Sequence, residues 1–391
     1  MRIAIFAEYY YPFVSGVVTH VETLRNGLEA AGHEVLIVTL DPAAKNHYIK
    51  DHVLYCPAVP VKKIYGYGVA SPVNALRMRI LKRFNPDILH IHTEFTMGLF
   101  ALYAARQLKK PVVYTLHTLY DDYVFYIVPK RMEGVAKPFA HAYIRKIASY
   151  ATEVIGPSSK VVEYLRLCGV DRHVNIVPNT VDLSAFAAEN VGEDAVQAAR
   201  DRLGIQKNDT ALCFVGRLGK EKSLDVLIDC FARAFAGERN YKLFLIGEGP
   251  EKQALEEQIA TLGVQGQVQL TGRIEHDELP AYYHACHLFA TASLSEMNSI
   301  SMLEATASGL YILQRLDIYN RDLIKSGING DVFESVTEFE KLVRNQDALP
   351  PDAKQRRRQI AAAFSRRYGE REFTAAVLNV YARAVHRYRP K

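Results

Sequence analysis

Short apolar runs alternate with segments of helical period along most of this chain, with glycine, proline and polar residues between them. Residues 2–7 are continuously apolar without a helical period, which predicts a parallel strand buried on both faces. Pro12 and Gly16 break regular structure, and residues 17–31 then place Val17, Val21, Leu24 and Leu28 at helical spacing before Gly32. A second strand is predicted over 34–39. The unit recurs, with strands over 88–91, 112–116 and 152–155 and helices over 99–108 and 160–167. Residues 174–182 read as a last strand and an exit linker in which Pro178 prevents a helix.

The rhythm restarts after the polar stretch 187–209, which holds a helix near 195–203. Strands are predicted over 211–215, 241–246, 268–270, 288–290 and 311–314, helices over 224–236, 254–262 and 279–285, and a turn with a strand over 328–333. The tail 368–388 reads as a helix with Phe373, Val377, Val380, Tyr381 and Val385 along one face. Alternating strands and helices predict an α/β class of doubly wound, parallel sheets. The restart predicts two such domains, 1–182 and 183–367, with 368–391 as a terminal helix.

Composition is that of an ordinary globular chain. The five cysteines are scattered without zinc spacing, which points to a reducing compartment and to packing roles. No apolar run approaches the ~18 residues of a membrane span, and the first apolar run is too short for a signal peptide, so a cytoplasmic protein is expected. Charge is uneven. Residues 1–180 hold 21 Lys and Arg against 14 Asp and Glu, a net +7, while the remainder holds 27 against 29, a net −2. A basic half suits an anionic surface or ligand, or else carries ordinary solvated cations.

The densest candidate chemistry lies at 295–309, where Glu296 and Glu304 stand eight positions apart. The order strand, polar loop, helix puts both carboxylates at the carboxyl end of a strand, where open α/β sheets bind ligands. Asn298, Ser299 and Ser301 are candidate N-caps and Gly309 a candidate C′ residue. On residues alone, Ser301-x-x-Glu304 equally fits a capping box and Glu296 a solvated loop acid. Gly216-Arg217…Lys222-Ser223 is a glycine-rich cationic loop between a strand and a helix, a sensible anion site although not a Walker A loop. Gly16 lets backbone approach a phosphate or only makes a turn.

His117 follows a buried strand directly and faces the carboxyl edge of its sheet. His20 and His92 also lie near strand ends, but no H-x-x-x-H, H-E-x-x-H or D-x-D supports a metal, and none is expected to be required. Residues 62–84 mix Lys62, Lys63, Arg77, Arg79, Lys82 and Arg83 with Tyr65 and other apolar side chains, and 123–139 repeat the theme with Tyr123 and Tyr126. Such mixtures suit the interface of an anionic bilayer, unless the apolar residues are core and the bases solvated. Nucleic-acid motifs are lacking.

Four loops together carry a resemblance: Pro12…Gly16…His20, Gly216-Arg217…Glu221-Lys222, the 245–250 turn with Gly247 and Gly249, and Glu296-x₇-Glu304…Gly309. In this order they resemble the retaining, nucleotide-sugar-dependent glycosyltransferases of the glycosyltransferase 4 type. The resemblance implies the GT-B fold, two Rossmann-like domains facing across a cleft with the C-terminal helix crossing back to the N-domain. It implies that the Gly16 loop, Gly216, Arg217 and Lys222 attend the donor diphosphate, Arg273 and Ile274 the base, and Glu304 the ribose. It places Glu296, Asn298, Ser299 and Ile300 at the donor, and His117 beside the transferring sugar with its carbonyl facing the anomeric carbon. A UDP-sugar would be the donor substrate, and no metal cofactor is implied.

The stretches 117–127 and 295–304 look most like those of bacterial diacylglycerol glucosyltransferases, which implies a lipid acceptor at the inner face of the cell membrane. Ser299 and Tyr311 depart from the usual pattern, at positions expected near the donor. A soluble or glycan acceptor, a non-catalytic sugar-nucleotide-binding scaffold and an acceptor-free epimerase are the competing readings, separated by acceptor dependence and by substitution of Glu296 or Lys222.

Overall fold

The computed structural model describes residues 1–13, 15–60, 68–119, 121, 133–180, 182–318 and 323–389, without the side chains at 133, 135 and 136. The chain divides into two compact units, Met1–Val181 together with Glu370–Lys391, and Asp182–Gly369.

The first unit contains β1 (Arg2–Phe6), β2 (Glu34–Asp41), β3 (Tyr48–Lys50), β4 (Val53–Pro57), β5 (Val59–Pro60), β6 (Gly68–Val69), β7 (Ile88–Ile91), β8 (Val112–Thr115), β9 (Glu153–Gly156) and β10 (Asn175–Ile176). Its main sheet runs β10-β9-β8-β7-β1-β2-β4-β3. Pairing is parallel except between β3 and β4. Ile3, Ala4, Ile5 and Phe6 are fully buried, so neither face of β1 has room for a polar side chain. Each large apolar residue so buried contributes roughly 1.5–3 kcal/mol relative to exposure. Strand order reverses at β1, which has β2 on one side and β7 on the other. Ligand crevices form at such reversals, outside the carboxyl ends of the strands.

The helix Gly16–Ala30 starts at Ser15, whose hydroxyl accepts from the Val18 amide at 3.3 Å. Its buried face holds Val18, Val21, Leu24 and Leu28. The terminal helix Glu370–Arg387 packs on it within the same unit, burying Phe373, Val377, Val380, Tyr381 and Ala384. Gly27 permits this approach, because a Cβ there would overlap the Thr374 side chain. Val385, expected on the buried face, is exposed. The 3.6-residue repeat carries the stripe from Val377 through Tyr381 to Ala384 and leaves Val385 beside it.

The second unit contains β11 (Thr210–Val215), β12 (Tyr241–Ile246), β13 (Val268–Gly272), β14 (Leu288–Thr291), β15 (Tyr311–Arg315) and β16 (Gly330–Phe333). They form one parallel sheet in the order β13-β12-β11-β14-β15-β16. Here the order reverses between β11 and β14.

The structure adds elements that the apolar pattern did not indicate, among them β3, β4 and the helices Ala75–Phe84, Glu133–Tyr150, Val336–Asp347 and Pro351–Ser365. Helix Ala75–Phe84 is capped by Asn74, whose Oδ1 accepts from the Arg77 amide at 3.0 Å. Arg79, Lys82 and Arg83 are exposed on it with Leu76. Arg77 is a correction to the expected basic surface. It shares the inward face with Met78 and Leu81, is 2% exposed, donates to the Ser71 carbonyl, and lies 4.6 Å over the Phe100 ring. Lys62, Lys63, Tyr65, Tyr123 and Tyr126 lie outside the described residues.

Candidate functional site

In the second unit, the loops after β11 and β14 meet at the reversal of the sheet. The first loop begins at Gly216, whose φ of +154° favours glycine. It is held from beneath by the turn after β12. Leu218 donates its amide to the Glu248 carbonyl at 2.9 Å and accepts from the Glu251 amide at 3.0 Å. A Cβ on Gly247 or Gly249 would overlap the carbonyls of Gly216 or Leu218, so two glycine turns stack backbone to backbone. The loop ends in a turn of 3₁₀ helix, Lys220–Lys222, before helix Leu224–Phe235.

The loop's cations are paired. Arg217 donates to Glu221 at 2.8 Å, and that carboxylate is nearly fully buried. Lys222 Nζ lies 2.6 Å from Glu296 Oε1 on the loop after β14. Ser293 and Ser295 donate to the Glu221 carbonyl at 3.3 and 2.9 Å and tie the two loops together. Charge-assisted contacts of this kind are short and strong. A lysine has three donors, so Lys222 can hold Glu296 and still present N–H groups to an anion.

Glu304 sits on helix Ile300–Ala307 and is buried. Its Oε2 accepts from the Tyr283 hydroxyl at 2.9 Å, and its Oε1 lies 3.1 Å from His276 Nε2. That hydrogen bond raises the His276 pKa above its ordinary value. The capping box does not form. Ser299 occupies the N-cap position without bonding the helix amides, and its hydroxyl pairs with Ser301 at 3.0 Å. Glu304 is drawn away from the helix end by Tyr283 and His276. Gly309 does terminate the helix, with φ +78° and amide bonds from Gly309 to Thr306 and Leu310 to Ala305.

Asn298 and Ser299 are buried beside this helix and Ile300 is its first residue. Arg273 and Ile274 follow β13, with Arg273 exposed and paired to Glu275 at 3.1 Å. Tyr311 corrects an expectation, for it opens β15 at the amino edge of the sheet, away from these loops, where its hydroxyl donates to Asp331 at 2.6 Å. Glu221, His276 and Tyr283 belong to the site although the sequence reading assigned them no role. The signal for Glu221 was its four-residue spacing from Arg217, whereas His276 and Tyr283 meet Glu304 only through the fold.

In the first unit, Gly16 is the first residue of its helix, and His117 follows β8. His117 Nε2 lies 2.9 Å from His92 Nδ1, and the His20 ring meets the His117 ring edge-on at 4.6 Å. His20 Nδ1 lies 3.0 Å from Asn179 Oδ1. Burial lowers the pKa of His20 to about 4 and pushes those of His92 and His117 well below the ordinary histidine value. These imidazoles are therefore neutral at physiological pH. One nitrogen each from His20, His92 and His117 lies within 4.8 Å of the others, a set that could ligate a borderline metal such as zinc. Beside them, Glu8 accepts from the Thr93 and Thr96 hydroxyls and from the Met97 amide at 2.7 Å, which ties the loop after β1 to helix Thr96–Leu108.

Comparison with known proteins gives the following. Glycosyltransferase Family 4 matches residues 14–185, and Glycosyl transferases group 1 matches residues 196–366. The chain is 33% identical over 347 residues to the alpha-monoglucosyldiacylglycerol synthase of Acholeplasma laidlawii, covering 87% of each chain. It is 32% identical over 339 residues to the protein of that name in Streptococcus pneumoniae, covering 85% of this chain and 75% of the relative. Among solved structures, Anabaena Alr3699/HepE in complex with UDP and glucose superposes with a TM-score of 0.73 at 16% identity, over 98% of this chain and 99% of that one.

Proposed function

Since this chain belongs to glycosyltransferase family 4, as a hexosyltransferase of GT-B fold, we propose that it moves glucose from a UDP-sugar to 1,2-diacylglycerol with retention, giving an α-glucosyl-diacylglycerol. The observation that carries the reading is the Lys222–Glu296 contact of 2.6 Å at the sheet reversal. It sets a cation for a diphosphate against a carboxylate for sugar hydroxyls at one point.

Arg217 and Lys222 hold the diphosphate and take up the charge that grows on it as the glycosidic bond breaks. Electrostatic stabilisation of this kind is a large term in catalysis and here does the work often given to a metal. Gly216 lets the main chain approach the phosphates. Glu296 accepts from sugar hydroxyls near Asn298, Ser299 and Ile300. Glu304 accepts from the ribose, and the backbone at Arg273 and Ile274 holds the uracil. Roles in the same reaction fall to Gly16, whose helix end offers N–H groups to an anion, and to His117, whose carbonyl stabilises positive charge at the anomeric carbon. The acceptor oxygen bonds that carbon on the face the diphosphate leaves, and its proton passes to the departing phosphate oxygen.

Diacylglycerol resides in a bilayer, and no helix among the described residues is long and apolar enough to cross one. Peripheral contact at the inner face of the cell membrane is therefore part of the proposal. Helix Ala75–Phe84 supports it, with Arg79, Lys82 and Arg83 exposed beside Leu76 and Val73. A screen of sugar nucleotides against lipid and soluble acceptors, read as UDP release, tests the reading. Release that needs diacylglycerol supports it, and release with soluble acceptors alone overturns it.

A further inference from the structure

Three imidazoles come together beyond the carboxyl ends of β1, β7 and β8, where the strand order of the first sheet reverses. His92 directly follows β7, His117 lies just beyond β8, and His20 stands near the start of the helix that follows β1. His92 Nδ1 lies 2.9 Å from His117 Nε2, and the His20 ring meets the His117 ring edge-on. One nitrogen of each residue lies within 4.8 Å of the other two, and the set holds no carboxylate. All-imidazole ligation suits borderline metals such as zinc, whereas the hard cations magnesium and calcium take oxygen.

The groups around the three rings are those a metal site needs. A ligating histidine is oriented by a partner on its other ring nitrogen. His20 Nδ1 lies 3.0 Å from Asn179 Oδ1, which leaves His20 Nε2 for a metal. His92 Nε2 lies 3.2 Å from His90 Nδ1, which leaves His92 Nδ1, the nitrogen already turned towards His117. Phe373 packs edge-on against His20 at 5.0 Å and supplies an apolar wall. His20 and His92 are buried and His117 is half-buried, so an ion enters from the His117 side. Tetrahedral zinc, with Zn–N bonds of about 2.0–2.1 Å, sets its nitrogens about 3.3 Å apart. The His92–His117 pair opens slightly to reach that spacing, and a turn of the His20 side chain brings in the third nitrogen. Whichever of His92 and His117 carries the proton between them shifts it to its other nitrogen, so the metal replaces a hydrogen bond.

We propose that His20, His92 and His117 form a zinc site of three imidazoles and one open position, and that zinc bound there inhibits glycosyl transfer. The inhibition rests on the reading of His117 as a residue of the transfer site and adds a regulation to it. In that reading positive charge grows at the anomeric carbon beside the His117 carbonyl as the diphosphate leaves. A dication on the His117 ring opposes that charge. The leaving diphosphate is already served by Arg217 and Lys222, so this zinc has no leaving group to assist.

The test titrates the full chain, stripped of metal by a chelator, with zinc chloride against a chromophoric chelator, and examines the zinc form by X-ray absorption. One zinc per chain is expected, with nitrogen ligands at about 2.0–2.1 Å, and excess magnesium should not displace it. His20→Asn and His117→Gln each remove one ligand and should weaken binding by more than ~100-fold, the upper end of what losing an orienting partner costs. A stripped wild-type chain that takes up no zinc overturns the site, and so does zinc held equally well by both variants or through oxygen or sulfur ligands. The wild-type stoichiometry and absorption spectrum decide even if a variant does not fold. UDP release, with diacylglycerol or with whichever acceptor supports it, should fall with one equivalent of zinc and return with the chelator. Unchanged release with the site filled overturns the inhibition. Zinc binding needs no turnover, so a chain inactive on diacylglycerol that holds zinc through the three histidines sinks the acceptor reading and leaves the site.

Discussion

Lys222 and Glu296 reach each other from loops on neighbouring strands, and both side chains are largely shielded from water. Neither charge is free to act without the other. Replacing Lys222 by Ala is expected to lower kcat by about 10²–10³, the usual effect of removing one donor that stabilises transition-state charge. Glu296→Gln should fall as well, and the double variant should lose much less than the product of the two, because partners in one contact are not additive. Full additivity in steady-state UDP release would show that the pair does not work as a unit.

His276 makes a second prediction at this scale. Its pKa is raised by Glu304, so it is a cation at pH values below that raised pKa and neutral above it. As a cation it competes with ribose hydroxyls for Glu304. UDP should bind more tightly as pH rises through the His276 pKa, above its ordinary value near 6.5. The pair is partly exposed and worth about 0.2–1 kcal/mol, so the gain should be a few-fold. Calorimetric titration of UDP across that range should show the rise in the wild type and a flat profile in His276→Ala.

At the scale of elements, the basic helix Ala75–Phe84 carries the membrane proposal. Each lysine or arginine near an anionic surface contributes about 1 kcal/mol. Replacing Arg79, Lys82 and Arg83 by Ala should weaken partition to anionic vesicles on the order of 100-fold. Co-sedimentation with vesicles reads this, and unchanged partition would remove this helix from the interface. The contact between helices Gly16–Ala30 and Glu370–Arg387 gives another test. Gly27→Ala must displace the Thr374 hydroxyl, which a Cβ there overlaps, and the new methyl still lies tight against the Thr374 Cβ. A loss of about 1–3 kcal/mol is expected in denaturant unfolding, the usual cost of overpacking.

The same elements show what could be read from the chain. Parallel strands such as β1 and β11 are apolar at consecutive positions because both faces are covered, and they stood out as runs. Edge strand β3 has three exposed residues and leaves no apolar trace. Helix Ala75–Phe84 was hidden because Arg77 sits inward among apolar residues, and its cation satisfies Phe100 and Ser71 from within. Lys222 and Glu296 were legible as a loop cation and a loop acid after strands. Their contact was not, nor was the meeting of His20, His92 and His117, since both depend on strand order.

For the whole molecule, the neutral histidines set a limit on the acid side. His20 has a folded pKa of about 4 against 6.5 for the free side chain, so the unfolded chain takes up the proton first. Its stabilising effect is complete above the unfolded value and is lost as pH falls from about 6.5 towards 4. That one residue accounts for on the order of 3 kcal/mol, at 1.36 kcal/mol per pKa unit. His90, His92 and His117 act in the same direction. Thermal unfolding should therefore shift steeply downward between pH 7 and 5, and His20→Asn should flatten that slope.

The claim that joins these scales is transfer of glucose to a lipid inside an anionic membrane. Purified chain should be given UDP-glucose with anionic vesicles that contain or lack 1,2-diacylglycerol, and the lipid product analysed by NMR at its anomeric carbon. The account predicts UDP release only with diacylglycerol present and an α-glucosyl product. Release with a soluble acceptor and none with diacylglycerol, or a β-linked product, would contradict it.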